Sequence, residues 1–182
     1  MNIANKLTVL RVIMIPLFLF AFWSPLFGGY GRYIAAGVFI LASLTDLFDG
    51  MLARKYNLIT NFGKFMDPLA DKLLVCAALI ALVETGDIKA WFVIIIVCRE
   101  FIVTGVRLVA AEQNIVIAAD KLAKLKTVTQ IITVIFFVLE LQKINSVFEI
   151  AGGVLIVFTV LLTVVSAYGY ISKNLSLFRG EI

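Results

Sequence analysis

The chain has 182 residues, of which 62% are hydrophobic and only 15% charged, and its mean hydropathy is +1.06. So little polar surface does not cover a water-soluble fold, and the apolar residues come in long blocks, which excludes an ordinary soluble domain and points to a polytopic membrane protein. The formal charge of +4 sits in the gaps between those blocks, not in a basic patch with interleaved aromatics, so no nucleic-acid partner is expected; the absence of any histidine excludes histidine triads and histidine-ligated metals.

Residues 2–11 come first. Ile3, Leu7 and Leu10 recur at helical spacing with Lys6 and Arg11 off that stripe, which predicts a short amphipathic helix on the cytoplasmic surface. Asn5, Thr8 and Arg11 form a polar edge at three-residue spacing that faces a headgroup. Lys6 and Arg11 ahead of an apolar run imitate a secretory signal, but no small-residue cleavage site follows, so the run is expected to be a retained first helix.

Six apolar segments follow, at roughly 12–28, 32–53, 68–86, 89–111, 124–142 and 147–171. Each falls within the range of about 17–25 residues that can span a hydrocarbon core about 30 Å thick. Only helices satisfy their own backbone hydrogen bonds in such segments. The predicted fold is therefore all-α: six transmembrane helices plus the short N-terminal amphipathic helix, in one domain over 1–182. Cys76 and Cys98 fall inside apolar blocks, which gives no disulfide framework.

Lysine and arginine set the expected orientation. One side collects Lys6, Arg11, Arg54, Lys55, Lys64, Lys72, Arg107, Lys121, Lys124, Lys126, Lys173 and Arg179, and the other only Arg32, Lys89 and Lys143. That asymmetry predicts both termini and the loops at 54–67 and 112–123 on the cytoplasmic side.

The informative stretch is Asp46-Leu-Phe-Asp49-Gly50-Met-Leu-Ala53-Arg54, then eight residues, then Gly63-Lys-Phe-Met-Asp67-Pro-Leu-Ala-Asp71. Asp46 and Asp49 share a face of the second helix, and Asp67 and Asp71 share a face of the third. A turn over 54–66 brings the two helices together antiparallel, so four carboxylates meet at one depth near the cytoplasmic interface. Four such charges do not stay ionised together without compensation. Hard divalent cations supply it, and all-oxygen ligation favours Mg²⁺ or Mn²⁺. Two ions about 3.5–4 Å apart are a recurrent way to hold a diphosphate. Gly50 and Ala53 are small on the aspartate face and admit a nucleotide; Gly63 serves the turn, and Arg54 neutralises a phosphate. A lone intramembrane aspartate is often a packing device, and Asp67 before Pro68 reads equally as a helix cap. Four together, with these glycines and Arg54, point to chemistry.

The pattern Asp-x2-Asp-Gly-x2-Ala-Arg-x8-Gly-x3-Asp-x3-Asp resembles the signature of the CDP-alcohol phosphotransferases, and residues 46–71 match all eight fixed positions. The resemblance implies that Asp46, Asp49 and Asp67 ligate two divalent metals that hold the CDP diphosphate. It implies that Asp71 is the general base and also touches metal, and that Gly50, Ala53, Arg54 and Gly63 line the CDP pocket. The acceptor hydroxyl would attack the lipid-bearing phosphorus and CMP would leave. The family is commonly homodimeric.

Arg99 and Glu100 fall in the middle of the fourth helix, where an arginine costs about 2.5–3.5 kcal/mol or more and is expected to face the interior. Arg107 lies nearer the cytoplasmic end, followed by Lys121, Lys124 and Lys126 with Thr127 and Gln130. Together these cations suit an acceptor that carries its own phosphate. The plainer alternative makes the lysines topological anchors and Arg99–Glu100 a structural pair. The runs Asn5-x2-Thr8-x2-Arg11, Arg99-Glu100-x6-Arg107 and Lys121-x2-Lys124-x-Lys126-Thr127-x2-Gln130 resemble one branch of the family, the bacterial phosphatidylglycerophosphate synthases. Ala4 and Ala123 depart from the proline and glycine usual there. This resemblance implies CDP-diacylglycerol and sn-glycerol 3-phosphate as substrates, Asn5 and Thr8 as part of the CDP pocket, and a bacterial inner membrane location with a cytoplasmic active site. A sibling enzyme using inositol phosphate, serine or phosphatidylglycerol is the nearest alternative. An aromatic prenyltransferase and a divalent-cation transporter are more remote.

Overall fold

The computed structural model describes the backbone over residues 3–55, 61–112 and 121–173, and side chains over 9–45, 69–70, 72–107, 110 and 122–172. Among these described residues, six α-helices follow in chain order: α1 (Ile3–Trp23), α2 (Gly31–Lys55), α3 (Asn61–Glu84), α4 (Ala90–Glu112), α5 (Lys121–Val138) and α6 (Ser146–Lys173). Short 3-10 turns occupy Pro25–Tyr30 and Leu141–Lys143, and there is no strand among the described residues. Two compact units divide the chain, one comprising Met1–Asp87 with Val134–Leu141, the other Ile88–Thr133 with Gln142–Ile182.

The separate N-terminal helix expected over residues 2–11 is not there. α1 runs unbroken from Ile3 to Trp23, and Arg11, expected on a polar edge facing a headgroup, is fully buried. No glycine or proline separates residues 3 and 15, so the backbone has no reason to break where the composition changes. Helices also outrun their apolar blocks at the basic end elsewhere: α2 reaches Lys55, and α3 begins at Asn61 instead of near residue 68. Gly63, expected in a turn, therefore lies inside α3.

In the first unit α1 packs against both α2 and α3. Ala35, Ala36 and Ala42 of α2 and Ala70, Ala78 and Ala81 of α3 are buried, and Phe18 and Phe39 fill the space these small residues leave. The Phe18 ring lies 5.7 Å from Phe22 and 6.1 Å from Phe39. In lipid, close packing of small residues replaces the hydrophobic drive that joins helices in water. The α1–α2 hairpin is tight: a Cβ on Gly31 would sit 2.7 Å from the Ala21 carbonyl oxygen, so only glycine fits.

Beyond this core, α3 ends in a Schellman motif at Gly86 (φ 75°), with Asp87 N–H donating to Leu82 O and Gly86 N–H to Val83 O. The motif holds Asp87 against Arg32 at 2.8 Å, and Arg32 also meets Glu140 at 3.4 Å and lies over the Phe22 ring. Glu140 itself has φ 55°, a left-handed conformation unusual for a side chain of its kind. Asp87 is only 3% exposed, so Arg32→Ala leaves that carboxylate buried without this cation. Such a change is expected to destabilise the fold by about 3 kcal/mol. An unchanged thermal midpoint of the variant in detergent would contradict this account.

The helix exteriors are apolar. α6 exposes Val147, Ile150, Val154, Val157, Leu161 and Val164, while Thr159, Thr163 and Ser166 of the same helix are buried. A water-soluble protein does not expose contiguous apolar faces of this extent, whereas a lipid-facing helix does. Among the described residues, two stretches are long and apolar enough to cross a membrane, Pro25–Thr45 and Ser146–Ser172. Exposed Trp23, Tyr30 and Tyr33 gather at the α1–α2 hairpin, and Trp91 is exposed at the start of α4, as rings at a membrane–water interface are.

Candidate active site

The signature residues are distributed over two helices. Asp46, Asp49, Gly50, Ala53 and Arg54 lie on α2, and Gly63, Asp67 and Asp71 on α3; their side chains lie outside the described residues. The backbone nevertheless fixes their levels. Asp49 is six residues from the end of α2 and Asp67 six from the start of α3. At 1.5 Å per residue both are about 9 Å along the helix from the short link between them, with Asp46 and Asp71 about 14–15 Å along. Counted from the link, the two pairs of aspartates thus fall on corresponding stretches of α2 and α3. α2 and α3 touch, and α1 packs on both.

The N-terminal part of α1 reaches the same level. The approach of Gly31 to Ala21 sets the register of the α1–α2 hairpin. Thr8 is 13 residues from Ala21 and Asp46 is 15 residues from Gly31, so the two are level to about 3 Å. Asn5 is one turn further along, beside the level of Asp49. The side chains of Asn5 and Thr8 lie outside the described residues.

The second unit carries a buried polar cluster. Arg99 and Glu100 of α4 are 9% and 8% exposed, and Lys126 of α5 is 2% exposed. Arg99 Nη1 donates to Glu100 Oε1 at 3.2 Å, the same oxygen accepts from Lys126 Nζ, and Arg99 Nη2 donates to Ser166 Oγ of α6 at 2.9 Å. Ser166 in turn donates to the Thr163 carbonyl at 3.1 Å, so its lone pairs remain for the guanidinium. One turn along α6, Tyr170 accepts from Arg107 Nε at 3.3 Å, with the guanidinium 5.4 Å from its ring centre. Arg99 Nε is buried with no hydrogen-bond partner among the described residues.

Of the cations expected to hold an acceptor phosphate, the structure brings Arg99 and Lys126 together around Glu100 and holds Arg107 against Tyr170. Lys124 is exposed and makes no hydrogen bond within the cluster among the described residues; the Lys121 side chain lies outside them. Two residues apart on a helix, Lys124 and Lys126 face opposite ways. Sequence reasoning missed Ser166 and Tyr170. Their signal was present: Thr159, Thr163, Ser166 and Tyr170 recur at i, i+4, i+7 and i+11, a polar stripe along an otherwise apolar helix.

Residues 1–165 match the CDP-alcohol phosphatidyltransferase family. The chain belongs to that family. It is 45% identical over 183 aligned residues, covering 95% of both chains, to the CDP-diacylglycerol–glycerol-3-phosphate 3-phosphatidyltransferase of Bacillus subtilis. Proteins of the same description from Rickettsia bellii and Escherichia coli are 38% and 35% identical over 93% and 94% of this chain. The matched region takes in both aspartate helices and Arg99, Glu100, Arg107 and Lys126, while Ser166 and Tyr170 lie just beyond it.

Proposed function

We propose that this protein transfers the phosphatidyl group of CDP-diacylglycerol to sn-glycerol 3-phosphate, giving phosphatidylglycerol phosphate and CMP. The observation that carries this reading is the near full-length similarity to relatives described by that activity, together with the complete aspartate pattern on α2 and α3.

The donor set fits a hard divalent cation: four aspartates within about one turn of each other along two adjacent helices, in a chain with no histidine. Asp46, Asp49, Asp67 and Asp71 would hold two such ions, Mg²⁺ or Mn²⁺. When bound, the ions neutralise the diphosphate and stabilise charge on the departing CMP. Asn5, Thr8, Gly50, Ala53, Arg54 and Gly63 form the CDP pocket, with the small residues admitting the nucleotide and Arg54 pairing with phosphate. Asp71 takes the proton from the acceptor hydroxyl. That oxygen then bonds to the phosphorus carrying diacylglycerol, and the bond from this phosphorus to the CMP oxygen breaks. Arg99, Arg107, Lys121 and Lys126 bind the phosphate of the acceptor, which serine lacks. Exposed Lys124 adds long-range attraction.

The reading extends to topology: six membrane spans, with both termini and the active site cytoplasmic. The basic bias of one side and the exposed rings at the hairpin support it. Both compact units belong to one catalytic domain, a homodimer in the bacterial inner membrane.

The test is CMP release by the purified full-length protein in detergent with CDP-diacylglycerol and Mg²⁺ or Mn²⁺. Glycerol 3-phosphate, inositol phosphate and serine are offered separately. Release with glycerol 3-phosphate alone is expected. Preferential use of another acceptor would overturn the substrate assignment and leave the family chemistry standing.

A further inference from the structure

A carboxylate inside a phosphate-binding cluster is unexpected, since it repels the ligand. Glu100 is nonetheless buried between Arg99 and Lys126, and its Oε1 accepts from both. On the other side of the guanidinium, Ser166 Oγ accepts from Nη2 while its own proton is committed to the Thr163 carbonyl. Two of the three guanidinium nitrogens are therefore tied to α4 and α6, and the third, Nε, is a buried donor with no hydrogen-bond partner among the described residues. A buried donor left in that state signals a ligand acceptor or stored strain.

Resting on the reading that this cluster takes the acceptor's phosphate, we propose that Glu100 and Ser166 are positioning residues: they lock Arg99 so that its Nε–H is presented to the phosphate, with the Lys126 ammonium held alongside. A long, flexible arginine loses rotamer freedom when it is fixed against a ligand. Fixing the side chain in advance removes that loss from the binding step, and the gain exceeds the repulsion from one neutralised carboxylate. Electrostatics alone makes the opposite prediction: removing a negative charge beside a phosphate site strengthens binding.

The experiment compares Glu100→Gln, Ser166→Ala, Ser166→Thr and Arg99→Lys with wild type, as full-length protein in detergent, by steady-state CMP release. Glu100→Gln is expected to raise the KM for glycerol 3-phosphate about tenfold, leaving kcat and the KM for CDP-diacylglycerol within about twofold, a change near 1.4 kcal/mol. Ser166→Ala is expected to raise the same KM about threefold, and Ser166→Thr, which keeps the hydroxyl, to restore it. In a double-mutant cycle, Glu100→Gln and Arg99→Lys together should raise that KM less than the product of their separate effects. An unchanged or lowered KM for glycerol 3-phosphate in Glu100→Gln would overturn the proposal, as would an equal rise in both KM values. Arg99→Lys separates the two levels of the argument. If it raises the acceptor KM and Glu100→Gln does not, the positioning role fails alone. If Arg99→Lys leaves the acceptor KM unchanged, the phosphate assignment of the cluster fails with it. Should Glu100→Gln not fold, the Ser166→Ala and Ser166→Thr pair decides the matter through the same parameter.

Discussion

An Asp71→Asn enzyme is expected to release CMP at least about 100-fold more slowly than wild type at saturating CDP-diacylglycerol and glycerol 3-phosphate. Asparagine has nearly the same shape and keeps one carbonyl oxygen, so α3 and its neighbours have little reason to rearrange. It does not accept a proton near neutral pH, and with no histidine anywhere in the chain the carboxylates are the natural bases for this step. A metal titration separates the two roles assigned to Asp71. If excess Mg²⁺ or Mn²⁺ restores most of the rate, Asp71 acts through ion binding and the base lies elsewhere. A rate that stays low at all metal concentrations supports the proton-accepting role.

Asp49→Asn and Asp67→Asn are expected to act differently. Under the proposed function each removes one charge from the site assigned to two divalent ions, where electrostatic stabilisation would be worth several kcal/mol. At tenfold per 1.36 kcal/mol this corresponds to a loss of about 100-fold or more at ordinary metal concentration. Higher metal should recover part of it, because the defect is in affinity. Chelation of the wild-type protein followed by return of Mg²⁺ or Mn²⁺ provides the parallel measurement. Full turnover by chelated protein would remove the ion-binding assignment of all four aspartates. Asp49 and Asp67 stand equally far from the α2–α3 link, so similar losses are expected from the two variants.

Much of this architecture was legible in the amino-acid order, and what was not has physical causes. Apolar blocks locate helices that face lipid, and α6 follows its block within two residues at either end. The same blocks misplace the basic ends of α1 and α3, because they report the thickness of hydrocarbon and not the length of a helix. Backbone hydrogen bonding continues through Lys6 and Arg11, and through Gly63 and Lys64, wherever nothing breaks it. The aspartate pattern was readable since its spacing is itself the geometry of two helices. The Arg99 cluster was only half readable. Periodicity shows that Lys124 and Lys126 point apart, but not which one turns inward. The contact between Arg32 and Glu140 spans 108 residues with no local signal at all.

That last contact also bears on how the protein is made. The first unit holds α1, α2 and α3, yet it is completed by Val134–Leu141, which the ribosome delivers long after Asp87. Until then Arg32 can engage Asp87 but not Glu140 or the Phe137 carbonyl. The aspartate helices are therefore inserted early and wait, with one closing strap missing, while about fifty further residues are translated. A nascent chain stalled in that interval would present its first three helices in an unclosed form, open to membrane chaperones and proteases, and arrival of the α5 terminus would end that exposure.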